Sequence, residues 1–146
     1  MNKYLNIVFL IVTCSGLSSV IAGADGTLES QASKSNTEQI YKKTPQEDLK
    51  IYLDFPEDWK PEDRRPAIVF FGGGGWIRQS AEQFAFQAEY LAGRGMVAAR
   101  ADYRVMQKHK TSPPDCVEDA KSAVRWLRKN ANKLGIDPQR IVAAGG

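Results

Sequence analysis

A run of glycines, Gly72–Gly75, followed by Trp76, is the part of this chain whose residue types and spacing most directly suggest chemistry. Glycine has no Cβ, so such a run lets the backbone bend sharply and brings bare N–H groups close to a ligand. The run follows the apolar segment Ala67–Phe71 and precedes a predicted helix, which is typical of loops that bind negative charge. The bound charge would be either a phosphate or the oxyanion formed during acyl transfer.

The spacing of the glycines disfavours the two common nucleotide-binding loops. A dinucleotide-binding loop needs Gly-x-Gly-x-x-Gly, but the last position of that pattern falls on Ile77 or Arg78. A Walker-type phosphate loop ends in Gly-Lys-Ser/Thr, whereas Gly75 is followed by Trp76. A purely structural turn is disfavoured because a run of glycines loses much backbone entropy on folding. An oxyanion-binding loop therefore fits the residues better.

The segments around the loop alternate between strand and helix patterns. The predicted strands are short apolar or alternating runs bounded by polar residues, glycine and proline. They are Glu38–Lys42, Leu49–Phe55, Ala67–Phe71, Met96–Ala99 and Arg140–Ala144. Ala67–Phe71 is apolar throughout, which predicts a central strand buried on both faces.

Two helices are predicted between these strands. Ser80 and Gln83 have the spacing of a capping box, so the first helix begins there, and Gly93 closes it. The second helix begins at Pro113–Pro114. Its apolar stripe consists of Val117, Ala120, Val124, Leu127 and Leu134. The order strand, helix, strand, helix, strand predicts the α/β class with a parallel sheet.

The N-terminal residues have a different composition. Lys3 precedes the mostly apolar stretch Leu5–Ile21, and Ala22–Ala24 supplies a small-residue cleavage site. Residues 1–24 are therefore predicted to be a signal peptide cleaved after Ala24, with an uncleaved membrane anchor as the alternative. We expect a secreted or periplasmic protein that meets the membrane only through this segment, with 25–36 as a linker and 37–146 as the domain.

The composition is that of an ordinary globular domain, with 42% hydrophobic and 25% charged residues among 146. The net charge of +3 is small, and acidic residues are mixed with basic ones, so no nucleic-acid partner is expected. Cys14 lies in the predicted signal peptide, and we interpret Cys116 as a buried structural cysteine. No Cys/His cluster has metal-ligand spacing, so neither a metal nor a cofactor is expected.

Several stretches together resemble the α/β-hydrolase superfamily, specifically its esterase and lipase branch with an HGGG-type loop. Pro66–Trp76 resembles the third strand and oxyanion loop, and Arg100–Arg104 resembles the end of the fourth strand. Asp119–Asn130 and Leu134–Gly146 resemble the helix and fifth strand that lead to the nucleophile. The resemblance covers about Leu49 to the end and implies an α/β-hydrolase fold truncated after its fifth strand.

The resemblance also implies the site residues. The oxyanion hole would consist of the backbone N–H groups of Gly73, Gly74 and Gly75. Trp76 would line the substrate pocket or pack under the loop. Gly72 stands where the family has the histidine of HGGG, but that histidine mainly braces the loop.

The last two residues, Gly145–Gly146, match the start of the Gly-x-Ser-x-Gly nucleophile elbow. The serine would be the next residue, and the catalytic acid and histidine would follow it. We therefore expect the chain to be the amino-terminal fragment of an exported serine hydrolase, inactive and unstable by itself. The expected substrates are small-molecule or polysaccharide esters, including carbohydrate acetyl esters. An inactive remnant, a binding module and a peptidase of the same superfamily remain alternatives.

Other polar residues are interpreted as structural. His109 precedes the elbow in a polar loop and is predicted to be a surface residue. Asp102 is expected to bind loop backbone, and Asp119 is expected to hold Arg104 or a nearby loop. The serines are expected to cap helices or lie on their surfaces, since none has a base partner; they are Ser80, Ser112 and Ser122.

Overall fold

A mixed sheet of six strands forms the centre of the computed structural model, which describes residues 9–11 and 37–146. The strands are β1 (Phe9–Ile11), β2 (Thr37–Lys43), β3 (Asp48–Asp54), β4 (Arg65–Phe71), β5 (Val97–Ala101) and β6 (Ile136–Gly145). A 3-10 helix at Ala81–Phe84 leads into α1 (Ala85–Ala92), and the other helices are α2 (Met106–His109) and α3 (Pro113–Lys129). Across the sheet the order is β1-β6-β4-β5-β3-β2.

The directions of the strands follow from their connections. Strands β4, β5 and β6 are parallel to one another, as predicted, and α1 and α3 lie in the connections between them. Strands β2 and β3, for which no direction was predicted, pair antiparallel, as β3 does with β5, so the sheet as a whole is mixed. A short turn closed by Thr44 and Glu47 joins β2 to β3, and so short a connection can join only antiparallel neighbours.

Strand β1 lies beside the final strand of the chain. Phe9–Ile11 pair in parallel with Ala143–Gly145 of β6. Strand β6 is therefore not at the edge of the sheet, because β1 covers the N–H and C=O groups of its outer side. The remaining residues of the predicted signal peptide and the predicted linker at 25–36 lie outside the described residues, so both stay predictions.

Strand β4 is buried on both faces, as its apolar sequence predicted. Ala67 and Val69 belong to the larger core cluster, which includes Leu127 of α3. Ile68 and Phe70 face the opposite side, in the cluster that includes Ala88 of α1. Burial of side chains of this size contributes roughly 1.5–3 kcal/mol each relative to exposure. The strand that carries the glycine loop is therefore fixed from both sides.

The buried face of α3 differs from the predicted apolar stripe. It is centred on Cys116, Asp119, Ala123 and Leu127, whereas Val117 is exposed. The difference arises because a carboxylate occupies the buried face, and hydrophobic periodicity cannot anticipate a buried charge that finds partners. No helix in the described part of the chain is long and apolar enough to cross a membrane.

Candidate active site

The glycine loop lies at the edge of the sheet where the three parallel strands end. Phe71 is in register with Ala101 of β5 and with Gly145 of β6. The loop after β4 and the residue Gly146 after β6 therefore leave the sheet side by side. In open α/β sheets this carboxyl edge is where ligands bind.

The loop has a backbone conformation that requires glycine. Gly74 has a φ of 146° and Gly75 a φ of 62°, both in the region that side chains rarely adopt. Trp76 also has a positive φ, 60°, which is unusual for a residue with a large side chain. The carbonyl oxygen of Gly74 accepts a hydrogen bond from the N–H of Ile77 at 3.1 Å, which closes a tight turn.

The loop also makes close backbone contacts. A methyl group on Gly73 would collide with the carbonyl oxygen of Gly146, and one on Gly74 would collide with the carbonyl oxygen of Arg78. The predicted oxyanion loop and the predicted start of the nucleophile elbow are therefore in direct contact. Nothing larger than glycine fits between them.

The N–H groups of the loop differ in their hydrogen bonding. The N–H of Gly73 donates to Oε1 of Gln83 at 2.7 Å. Within residues 9–11 and 37–146, the N–H groups of Gly74 and Gly75 donate to no protein acceptor. Of the three predicted oxyanion donors, two are thus available to a ligand, while the third is engaged inside the protein.

Buried polar contacts hold the loop from below. The hydroxyl of Tyr103, a residue that is only 7% exposed, donates to the carbonyl oxygen of Gly72. Burial raises the pKa of Tyr103, so its hydroxyl stays a donor at neutral pH. Its ring also packs edge-on against Phe71, with the ring centroids 6.5 Å apart. The first residue of the loop is fixed by a side chain that sequence reasoning did not single out.

The far side of the loop is held by the backbone of α2. The N–H of Met106 donates to the carbonyl oxygen of Trp76 at 2.9 Å, and that of Gln107 donates to Ile77 at 3.0 Å. Trp76 itself is half exposed, and it lies beside Ile77 in sequence and close to Met106, both also about half exposed. The indole belongs to none of the buried clusters of the described residues, so it is placed at the surface beside the loop.

Asp102 does not bind the loop backbone as predicted. Its carboxylate accepts hydrogen bonds from the hydroxyl of Tyr52 at 3.2 Å and from the side-chain amide of Gln79 at 3.1 Å. These residues also line a cleft of about 390 Å³. The prediction failed in this detail because the partners of Asp102 are side chains of β3 and of the segment after the loop, which come together only in the folded chain.

His109 is buried, so its prediction as a surface residue is wrong. Its Nδ1 accepts a hydrogen bond from the N–H of Val105 at 2.9 Å, which leaves the proton on Nε2. Nε2 then donates to Oε1 of Glu47 at 2.8 Å. The polar sequence around His109 concealed the short helix α2, which turns this side chain inward. Both ring nitrogens are occupied by structural contacts.

Asp119 holds Arg104, as predicted. The carboxylate is fully buried and accepts from the Arg104 side chain at 2.8 and 3.0 Å, and from the Arg104 backbone N–H at 3.1 Å. Lys42 adds a contact at 2.7 Å. Burial alone raises the pKa of Asp119, but hydrogen bonds from Arg104 and Lys42 outweigh burial and hold the pKa below its usual value. The carboxylate anchors the segment after β5, which also carries Tyr103.

The remaining candidates have structural positions. Cys116 is 3% exposed, its thiol donates to the Arg104 carbonyl oxygen at 3.0 Å, and burial raises its pKa. Ser80 and Ser112 cap helices, and Ser122 donates to the carbonyl oxygen of Glu118 at 2.8 Å. Among the described residues, no group of three or more His, Cys, Asp or Glu side chains could hold a metal ion.

Comparison with known proteins places this geometry among esterases. The model of the BD-FAE family matches residues 49–146. Carboxylesterase NlhH of Mycobacterium tuberculosis is 33% identical over 90 residues, covering 60% of this chain and 28% of NlhH. Esterase LipC of the same organism is 34% identical over 104 residues, covering 65% of this chain and 25% of LipC. The chain thus spans about a quarter of the length of these curated relatives.

A solved structure is similar over a larger share of this chain. The native esterase Est2 of Thermogutta terrifontis has a TM-score of 0.76 and 56% sequence identity, covering 79% of this chain and 41% of that one. The same esterase phosphorylated by paraoxon has a TM-score of 0.74 and 59% identity, covering 75% of this chain and 42% of that one. The resemblance inferred from the glycine loop and the elbow is confirmed at the level of family and fold.

Proposed function

The chain belongs to the BD-FAE family and has the α/β-hydrolase fold, and we propose that it is the amino-terminal part of an exported serine hydrolase that cleaves carboxylic esters. One observation carries the proposal. The glycine loop presents the N–H groups of Gly74 and Gly75, which have no acceptor among the described residues, while Gly73 touches Gly146. A residue that follows Gly146 would begin beside these donors.

In this proposal the loop stabilises the negative oxygen of the tetrahedral intermediate. A serine directly after Gly146 attacks the ester carbonyl, a histidine takes its proton and returns it to the leaving alcohol, and an acid orients the histidine. Gly74 and Gly75 donate to the oxyanion, together with the N–H of the residue after the serine. Loss of one such donor lowers kcat by about 10²–10³-fold. Gly73, whose N–H is bonded to Gln83, supports the hole by its position.

The proposed substrates are small carboxylic esters, with acetyl groups on polysaccharides as a narrower possibility. The carboxylesterase relatives support the broader class. Half-exposed apolar side chains at Trp76 and Ile77 would contact the acyl or alcohol part of such an ester. Export through a signal peptide at residues 1–24 would place the enzyme in the periplasm or outside the cell. Mass spectrometry of the exported protein tests this point, because cleavage after Ala24 leaves Asp25 as the first residue.

The direct test uses the encoded protein together with the residues that follow Gly146. Its gene should continue with serine, a small residue and glycine, and the purified protein should hydrolyse p-nitrophenyl acetate. Replacing that serine by alanine should abolish turnover. Residues 25–146 purified alone should show none, because they hold only the oxyanion side of the site. A continuation without serine, or turnover by residues 25–146, would contradict the proposal.

One observation favours a second candidate, an inactive chain that acts as a binding module. Phe9–Ile11 pair with β6 and cover the edge that a further strand would otherwise occupy. A chain of this kind would be stable without added strands. Thermal unfolding of the chain with and without residues 1–24 separates the candidates. A cooperative transition that depends on those residues supports the binding module.

A further inference from the structure

Gln83 points away from the helix cap that its spacing predicts. In the 3-10 helix, the Ser80 hydroxyl accepts a hydrogen bond from the N–H of Glu82 at 3.2 Å, whereas a capping box would need the N–H of Gln83. Its Oε1 accepts the N–H of Gly73 at 2.7 Å. The sequence spacing suggested a capping box, whereas the structure directs this amide to the glycine loop.

The Gln83 side chain lies between the two parts of the proposed site. A methyl group on Gly146 would lie 3.4 Å from Nε2 of Gln83 and 3.1 Å from Cζ of Phe84. The amide therefore contacts Gly73 through its oxygen and borders Gly146 through its nitrogen. One side chain thus spans the distance between the oxyanion loop and the residue before the predicted nucleophile.

The base of the Gln83 side chain is fixed. The next residue, Phe84, stacks on Phe70 of β4 with ring centroids 5.1 Å apart. Ala81, at the start of the same turn, is buried. The 3-10 helix is therefore packed on the strand that leads into the loop. An amide carried by such an element keeps its place relative to both the loop and the sheet.

We infer that Gln83 is the positioning residue of the oxyanion loop, an inference that rests on the proposed function of that loop. The loop lacks the histidine that opens HGGG, because Gly72 occupies its place. Gln83 supplies the missing brace from the other side. By accepting the Gly73 N–H, it fixes the peptide between Gly72 and Gly73, and so helps to keep the next two N–H groups directed at the ligand. A glycine-rich backbone without this bond would sample other orientations.

The test compares Gln83→Met with Gln87→Met in the encoded protein, including the residues that follow Gly146. Methionine has nearly the length of glutamine but offers no strong acceptor, and Gln87 is exposed one turn further along α1. Gln83→Met should lower kcat about tenfold on p-nitrophenyl acetate with KM within about twofold, because a displaced donor weakens only the transition state. Gln87→Met should match the unaltered protein.

A second readout does not depend on activity. Amide hydrogen exchange at Gly73 should be about tenfold faster in Gln83→Met than in the unaltered protein, and Gln83→Glu, which keeps an acceptor, should restore slow exchange. An unaltered protein that hydrolyses no ester would contradict the proposed function, while Gly73 exchange would still test the brace. An active protein whose kcat and Gly73 exchange are both insensitive to Gln83→Met would overturn the inference. A urea midpoint equal to that of the unaltered protein excludes general unfolding as the cause.

Discussion

The glycine loop and the Asp119 cluster are neighbouring regions with opposite properties. In the loop, residues Gly72–Trp76, two N–H groups have no acceptor in the part of the chain that the structure describes, and three residues have positive φ. In the cluster, defined as Asp119, Arg104 and Lys42, a fully buried carboxylate accepts bonds from both cations. The loop thus has a strained backbone with donors available to a ligand, whereas the cluster pairs a buried carboxylate with two cations.

The two regions are joined by a short piece of chain. Tyr103, which holds the carbonyl oxygen of Gly72, directly precedes Arg104 of the cluster. The cluster therefore fixes the segment from which the loop is supported. Strain and unpaired donors persist only where the surrounding structure determines the geometry. The strained loop is therefore supported, through Tyr103, by a segment that a buried ion pair holds in place.

Removing the charge at the centre of the cluster should have the largest effect. Asp119→Asn should lower the free energy of unfolding by about 3–5 kcal/mol, because Arg104 would stay buried without its counter-charge. Urea denaturation of the purified protein measures the loss. Glu118→Gln is the matched control, since Glu118 also contacts Lys42, at 2.9 Å, but is exposed. Its loss should be at most about 1 kcal/mol. Equal losses would remove the distinction between the buried cluster and an ordinary surface pair.

The stabilisation that Asp119 contributes should also depend on pH. The pKa of Asp119 is depressed in the folded protein, since the bonds from Arg104 and Lys42 outweigh the effect of burial. Its stabilisation is therefore complete above the carboxyl pKa of the unfolded chain, about 3.9, and is lost as the pH falls through the lower folded value. The stability difference between the unaltered protein and Asp119→Asn should be constant from pH 7 to about 5 and shrink below about 4. A difference that grows on acidification would contradict the assignment.

Adding one methyl group within the loop should have a smaller effect that depends on position. Gly74→Ala combines a positive φ with a collision against the Arg78 carbonyl oxygen, and should cost roughly 2 kcal/mol or more of unfolding free energy. A methyl group on Gly75 meets no atom of the described residues within 4 Å, so Gly75→Ala should cost about 1 kcal/mol for its positive φ alone. Urea denaturation measures both costs. In the encoded protein kcat should fall strongly only for Gly74→Ala, and equal effects would contradict the contrast.

The strand and the glycine loop of the site were predicted from the sequence more accurately than the side chains that hold the loop in place. Ala67–Phe71 was recognisable as a central strand because its apolar residues leave no polar face, and the glycines marked the loop that follows. The supports of the loop were not recognisable, since Tyr103 and Gln83 act through contacts between different segments of the chain. His109 was misplaced for the same reason, because its partner Glu47 lies 62 residues away. Local patterns report periodicity, whereas the supports depend on the packed fold.

Trp76 offers the smallest expected effect, because the strain of its positive φ and its exposed indole can be removed separately. Trp76→Ala removes the indole and keeps the strain, whereas Trp76→Gly removes both. If the indole contacts the ester, both variants should raise KM for p-nitrophenyl butyrate about fivefold, which corresponds to about 1 kcal/mol of apolar contact. Trp76→Gly should unfold at higher urea than Trp76→Ala, because glycine removes roughly 1 kcal/mol of backbone strain. Phe86→Ala, at another exposed aromatic residue, should change neither quantity. An unchanged KM in both variants would contradict contact between the indole and the ester. Trp76 would then act by shaping the loop backbone, and its positive φ would orient the N–H groups of the loop.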